Sequence, residues 1–197
     1  MSRTINAVAA ALSLLIPLGQ PLVVWVTPAV GIWSELVSTQ AAYAQSSKDI
    51  YRSGLAKYES GDYLGAIADF SKVIELDPQN REGGLVFAYS RRGLAKENLD
   101  NYEGAISDYT KAIKFDPQYA APYNFRADAK SKLGDLQGSI SDLNRVIELE
   151  PGNAIAYRRR GIRKEKLGDL AGACTDWRKA AELRDRAPVA DWVRKQC

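Results

Sequence analysis

Ala66, Ile67, Phe70, Val73 and Ile74 recur at spacings of three and four, with Asp69, Lys72 and Glu75 set between them. That spacing stacks apolar side chains on one face of an α-helix and turns the charged ones outward. The same face returns as Ala105, Ile106, Tyr109, Ala112 and Ile113, then as Ser139, Ile140, Leu143, Val146 and Ile147, and degenerates to Ala173, Cys174, Trp177, Ala180 and Ala181. Ahead of each copy runs a second helical pattern: Ile50, Gly54, Leu55 and Tyr58; Tyr89, Gly93 and Leu94; Tyr123, Ala127 and Leu133; Tyr157, Gly161, Ile162 and Leu167. Between the two patterns stand Gly61-Asp62, Asp100-Asn101, Gly134-Asp135 and Gly168-Asp169. Each pair offers a residue able to take the left-handed turn that closes one helix, then a side chain able to cap the next. Pro78, Pro117 and Pro151 follow the second helices and stop them, because proline has no N–H with which to continue the ladder. The unit is a helical hairpin and the class is all-α.

The hairpins repeat. Ala105 to Ser139 and Ser139 to Ala173 are each 34 residues, while Ala66 to Ala105 is 39, so the first junction carries a five-residue insertion. A glycine inside a helix costs about 1 kcal/mol relative to alanine, so Gly54, Gly93 and Gly161 at equivalent places predict close contact between helices. The pattern resembles the tetratricopeptide repeat, through Gly93, Asn101-Tyr102, Ala105, Tyr109, Ala112 and Pro117 in one copy. The aligned repeats are 47–80, 86–119, 120–153 and 154–187. Ser139 and Leu143 depart from the family's small and aromatic residues, and Asp185 stands where the fourth repeat would have its proline. The resemblance implies a right-handed superhelix of four hairpins. From Pro188 the pattern changes, and Val189, Trp192, Val193 and Cys197 on one face predict a short capping helix over 188–197 that covers the end of the stack.

Between Arg3 and Glu35 there is no charged residue, and Ala42-Tyr43-Ala44 precedes Gln45. A basic start, an apolar run and an A-x-A triplet read as a secretory signal over 1–44 followed by a domain over 45–197. The alternative is a retained membrane anchor, against which Pro17, Pro21 and Pro28 interrupt the span. Both readings put the folded part outside the cytoplasm, in a periplasm or thylakoid-type lumen.

Chemistry is bounded mainly by what is missing. The chain of 197 residues has no histidine, which excludes Ser-His-Asp and Cys-His catalysis and the commonest metal ligand. Two cysteines cannot make a four-thiolate zinc site, and there is no phosphate-binding glycine loop ending in Gly-Lys-Ser/Thr. A net charge of +3 is too small to imply nucleic acid. The expectation is a non-enzymatic protein with no cofactor, no metal and no small-molecule substrate, and with a membrane as partner only if 1–44 is retained.

In the aligned repeats Cys174 occupies the apolar slot of Ile67, Ile106 and Ile140, which faces the next helix, here the cap that carries Cys197. In an exported protein these two predict a structural disulfide; the other reading is two unpaired thiols.

The family resemblance implies that the first helices line a concave groove that binds a protein or peptide. Projected onto this chain, the groove positions include Tyr51, Leu55, Tyr58, Phe87, Arg91, Asn124, Asp128 and Arg158. Leu55 and Tyr58 are equally readable as packing residues. One groove type of the family clamps a partner's terminal carboxylate with lysine, asparagine and arginine. Tyr51, Leu55, Arg91, Ala121 and Phe125 occupy those places here, so chaperone-tail recognition is not expected. The run from Tyr157 to Lys166 holds six basic residues in ten. It reads as a solvated face, or as a patch for an acidic partner, with Arg163 away from the groove. The function expected is an extracytoplasmic interaction adaptor; the alternative is an accessory subunit of a membrane or envelope enzyme or translocation complex, held by its N-terminal segment.

Overall fold

The computed structural model describes residues 46–80, 83–183 and Cys197. The signal or anchor expected over 1–44 therefore lies outside the described residues, as does the 188–197 cap apart from Cys197. Among the described residues there are eight α-helices and no strand. They are α1 through residues 46–59, α2 (Tyr63–Leu76), α3 (Leu85–Glu97), α4 (Tyr102–Phe115), α5 (Ala120–Lys132), α6 (Leu136–Leu149), α7 (Ala154–Lys166) and α8 (Leu170–Glu182). They pair as four hairpins stacked into an all-α superhelix.

The turn chemistry acts as its residue types require. Gly61, Gly134 and Gly168 hold φ near +84°, and Asp100 takes the same left-handed region at +56°. The following residue then caps the second helix: Asp62, Asn101, Asp135 and Asp169 accept from the N–H of Gly65, Gly104, Gly138 and Gly172. At the long first junction, Asn80 turns left-handed at φ +53° and its side chain accepts from the N–H of Leu85 at 2.9 Å, starting α3.

The close approach predicted at the three glycines is present. A Cβ on Gly54 would lie 2.8 Å from the Phe70 ring, one on Gly93 would lie 2.5 Å from the Tyr109 ring, and one on Gly161 would meet Trp177. Phe70, Tyr109 and Trp177 are themselves buried, so the first, second and fourth hairpins each close over one aromatic plate. The third hairpin solves the same problem with a smaller plate, Leu143, against Ala127. The clusters of the first three hairpins also take in a residue of the next, Ala95 beside Phe70, Ala129 beside Tyr109 and Ala156 beside Leu143, so neighbouring units share their core.

A second system joins the hairpins. Asp108 receives Nε and Nη2 of Arg92 at 2.9 and 2.7 Å and Nζ of Lys96 at 2.7 Å. Asp142 does the same with Arg126 and Lys130, and Asp176 with Arg160 and Lys164. All three aspartates are buried. The remaining guanidinium nitrogen reaches back to the preceding hairpin, where Ser71, Thr110 and Asn144 accept from Arg92, Arg126 and Arg160. In the first described hairpin, Ser53 with Lys57 serves Asp69. This ladder corrects the expectation of a free basic patch between Tyr157 and Lys166. Arg160 and Lys164 are bound to Asp176, and Arg159 and Arg163 to Asp128, so four of the six cations are already engaged, by two carboxylates.

The structure joins Cys174 to Cys197, with Cα atoms 5.6 Å apart. Cys174 is buried in the cluster of Ala173, Trp177 and Ala180. Arg178 donates to the Cys197 carbonyl at 3.3 Å, a further tie between α8 and the C-terminus.

Candidate functional site

The first helices α1, α3, α5 and α7 carry all eight residues expected to line the groove, but the two ends of that row differ in what their side chains are doing.

At the N-terminal end the side chains are aromatic and their outer faces are open. Tyr51 of α1 is half-buried and packs on Phe70 with ring centroids 5.5 Å apart. Phe87, one turn into α3, is 47% exposed and is held edge-on against Tyr119 at 5.7 Å. Between α1 and α3 lies a cavity of about 250 Å³, walled by Tyr51, Val73 and Phe87 and rimmed by Lys48 and Arg52. Arg91 follows Phe87 by one helical turn and is exposed. Tyr51, Phe87 and Arg91 are therefore together at this end.

Leu55 and Tyr58 serve packing. Leu55 lies against the cluster of Ala66, Phe70 and Ala95. Tyr58 meets the Tyr63 ring and accepts a hydrogen bond from Asn98 at 3.0 Å, which ties α1 to the end of α3.

At the C-terminal end the polar groups answer one another. Asn124 accepts from Arg159 at 2.8 Å, and Asp128 pairs with Arg159 at 2.9 Å and Arg163 at 2.7 Å. Arg163 is thus not turned away from the groove as the alignment suggested; its side chain is 12% exposed and crosses from α7 to α5. Burial pushes its guanidinium below the usual range, opposed by the Asp128 carboxylate. Arg158 is half-buried beside it on α7. Near the same network Glu97 accepts from the buried Tyr109 hydroxyl at 2.9 Å. Burial raises the Glu97 carboxyl above its ordinary value, the Tyr109 hydrogen bond opposes this, and the charge of Asp128 adds to it.

Sequence reasoning missed Lys48 and Arg52 as rim residues and Arg159 and Arg163 as pairing residues. The signal for the pairs was in the text: Arg159 and Arg163 each stand 35 residues after their partners Asn124 and Asp128, one repeat and one residue on. Among the described residues, no cluster of acidic, cysteine or histidine side chains could hold a metal, and no helix is long and apolar enough to cross a membrane.

No curated protein matches the chain at a significant level. Among solved structures, it resembles the crystal structure of MamA, with 24% identity and a TM-score of 0.65 over 72% of this chain and 74% of that one. It also resembles a tetratricopeptide repeat protein from Parabacteroides merdae, with 19% identity and a TM-score of 0.70 over 76% of this chain and 58% of that one. These two likenesses are of fold. The first tetratricopeptide repeat domain of Spaghetti (RPAP3), solved bound to the HSP90 peptide SRMEEVD, is 27% identical at a TM-score of 0.58, over 63% of this chain and 97% of that one. Two family models, each described as a tetratricopeptide repeat, match residues 86–119 in one case and residues 50–80 and 120–153 in the other, together about half of the chain. With the helical hairpins those residues form, the matches establish that the chain belongs to the tetratricopeptide repeat family.

Proposed function

We propose that this chain is a non-enzymatic adaptor of an extracytoplasmic compartment, a periplasm or thylakoid-type lumen, which holds a peptide segment of its protein partner against its first helices. Protein–protein interaction is the coarse part of the reading and follows from the family. The groove is the finer part, and one observation carries it: the contrast between the two ends of the first-helix row. The Asn124–Asp128 end is closed upon itself by Arg159 and Arg163, whereas Tyr51 and Phe87 wall an open cavity beside the exposed Arg91. A surface that anchors a partner concentrates aromatic and arginine side chains around a pocket.

The RPAP3 domain bound to a peptide supports the idea that this backbone can hold an extended segment. The side chains here argue for a different readout. At the carboxylate-clamp positions, Tyr51 packs on Phe70, Leu55 on the core and Phe125 on Tyr109, and Ala121 has no polar group to offer. Export rests on the uncharged span before Glu35 and on Ala42-Tyr43-Ala44. The same span is longer than an ordinary signal, which favours the second reading, an accessory subunit anchored beside an envelope complex. N-terminal sequencing separates the two: the adaptor begins at Gln45, the anchored subunit keeps residues 1–44.

Partner capture from the native compartment tests the groove. Tyr51→Ala and Arg91→Glu weaken capture with helix content unchanged, while Ser141→Glu, on the exposed side of α6, leaves it intact. The reverse ordering moves the docking surface to the second helices.

A further inference from the structure

We propose that the segment taken by this groove is acidic and carries an aromatic or branched apolar side chain, which enters the cavity between α1 and α3 while neighbouring carboxylates meet Lys48, Arg52 and Arg91. The proposal rests on the groove reading above and names the chemistry of its occupant.

Size and walls set the apolar part. A dry cavity of about 150 Å³ admits benzene, and this one offers about 250 Å³. Its walls are built in advance: the Phe70 ring fixes Tyr51, and Phe87 rests edge-on against Tyr119. Rigid aromatic walls lose little entropy when a side chain enters, and they favour ring or branched aliphatic contacts.

Charge sets the rest. Lys48 and Arg52 line the cavity, and no carboxylate lines it among the described residues. Arg52 makes an ion pair with Asp49, exposed on both sides at 3.4 Å, and pairs of that kind exchange partners readily. Lys48 and Arg91 make no ion pair with the described residues. Arg92, Arg126, Arg160 and Arg163 are each paired with a buried or half-buried aspartate, whereas Lys48, Arg52 and Arg91 stand beside an open apolar cavity with one exposed ion pair, Arg52 to Asp49, among the described residues. A vesicle surface could meet the rim charges, but lipid headgroups would leave the aromatic walls unfilled, so a peptide is the better match.

Fluorescence anisotropy on the mature chain tests this with three short labelled peptides. One alternates Asp and Glu around a central Phe, one replaces that Phe with Ser, and one replaces every acid with Lys. The acidic Phe peptide binds saturably and loses affinity as salt rises. The Ser peptide, and the Lys48→Glu/Arg91→Glu variant with its circular dichroism unchanged, each bind at least about tenfold more weakly. Ser141→Glu, on the exposed side of α6, leaves binding as it was. Equal or tighter binding of the Lys peptide, indifference to the charge reversal, or binding of phosphatidylglycerol vesicles in preference to all three peptides overturns the proposal. None of these touches the groove reading if Tyr51→Ala still weakens capture of the native partner; loss of that effect is the separate signature of a wrong groove.

Discussion

Asp142→Ala should be among the most damaging single substitutions on a polar side chain of this protein. Asp142 is 4% exposed and receives three charge-assisted hydrogen bonds, from Nε and Nη2 of Arg126 at 2.9 and 2.6 Å and from Nζ of Lys130 at 2.8 Å. Removing one member of a buried ion pair costs about 3–5 kcal/mol, because the charges left behind have lost their counterion. Arg126 and Lys130 keep side-chain exposures of 16% and 20%, so water can reach them once the carboxylate is gone. That places the loss at the low end, about 3 kcal/mol. For a domain of this size, each kcal/mol moves the midpoint by about 2–4 °C, so the melting temperature should fall by roughly 6–12 °C. The control is Glu148→Ala, which breaks an i,i+3 pair with Arg145 in which Glu148 is 62% exposed. It should cost less than about 0.5 kcal/mol. Thermal and urea denaturation followed by circular dichroism read both variants. If Asp142→Ala cost no more than Glu148→Ala, the ladder of aspartates would be surface decoration and the account of how the hairpins are joined would fail.

Gly93→Ala should destabilise by about 1–3 kcal/mol although alanine is the better helix former, since its Cβ would press on the buried Tyr109 ring; an unchanged melting temperature would show that the ring can move aside. Glu97 has a folded pKa above the ordinary 4.5 of glutamate, so its contribution is greatest below pH 4.5 and is lost as the pH rises through the raised value. Glu97→Gln keeps an acceptor for the Tyr109 hydroxyl and should match the parent chain at acid pH but exceed it at pH 7, and a variant less stable at pH 7 would contradict the sign. Reducing the Cys174–Cys197 bond, which spans 23 residues, should cost about 3 kcal/mol. Hydrogen exchange should report that loss in α8 and leave α2 to α4 protected, and uniform loosening would count against neighbour-only coupling of the hairpins.

Most of the fold was readable because it is written in local signals repeated four times. The spacing of Ala66, Ile67, Phe70 and Val73 fixes a helix face, Gly61-Asp62 fixes the turn and the cap, and Gly93 anticipates the aromatic plate that lies across it. The Cys174 slot pointed at the chain end because it fell on an apolar position of the repeat. What escaped was pairing between hairpins. Arg92 reads alone as a solvated helix residue; only the stacking of units brings its guanidinium within reach of Asp108 and Ser71 at once. The same limit hid the pairing of Arg163 with Asp128, a full repeat away, and left Leu55 and Tyr58 readable either as groove or as packing residues until their packing partners were in place. The cavity beside Tyr51 and Phe87 depends on the depth at which α1 meets α3, which no local pattern encodes.

The claim at the centre of the account is that the partner docks on the first helices at the Tyr51–Phe87 end. The most direct measurement puts a photo-crosslinking phenylalanine analogue in place of Phe87, and separately in place of Ser141 on α6, in cells that make the full chain. The account predicts a crosslinked partner from position 87, lost when Tyr51→Ala is added, and none from position 141. Crosslinking from position 141 with none from position 87 would contradict it.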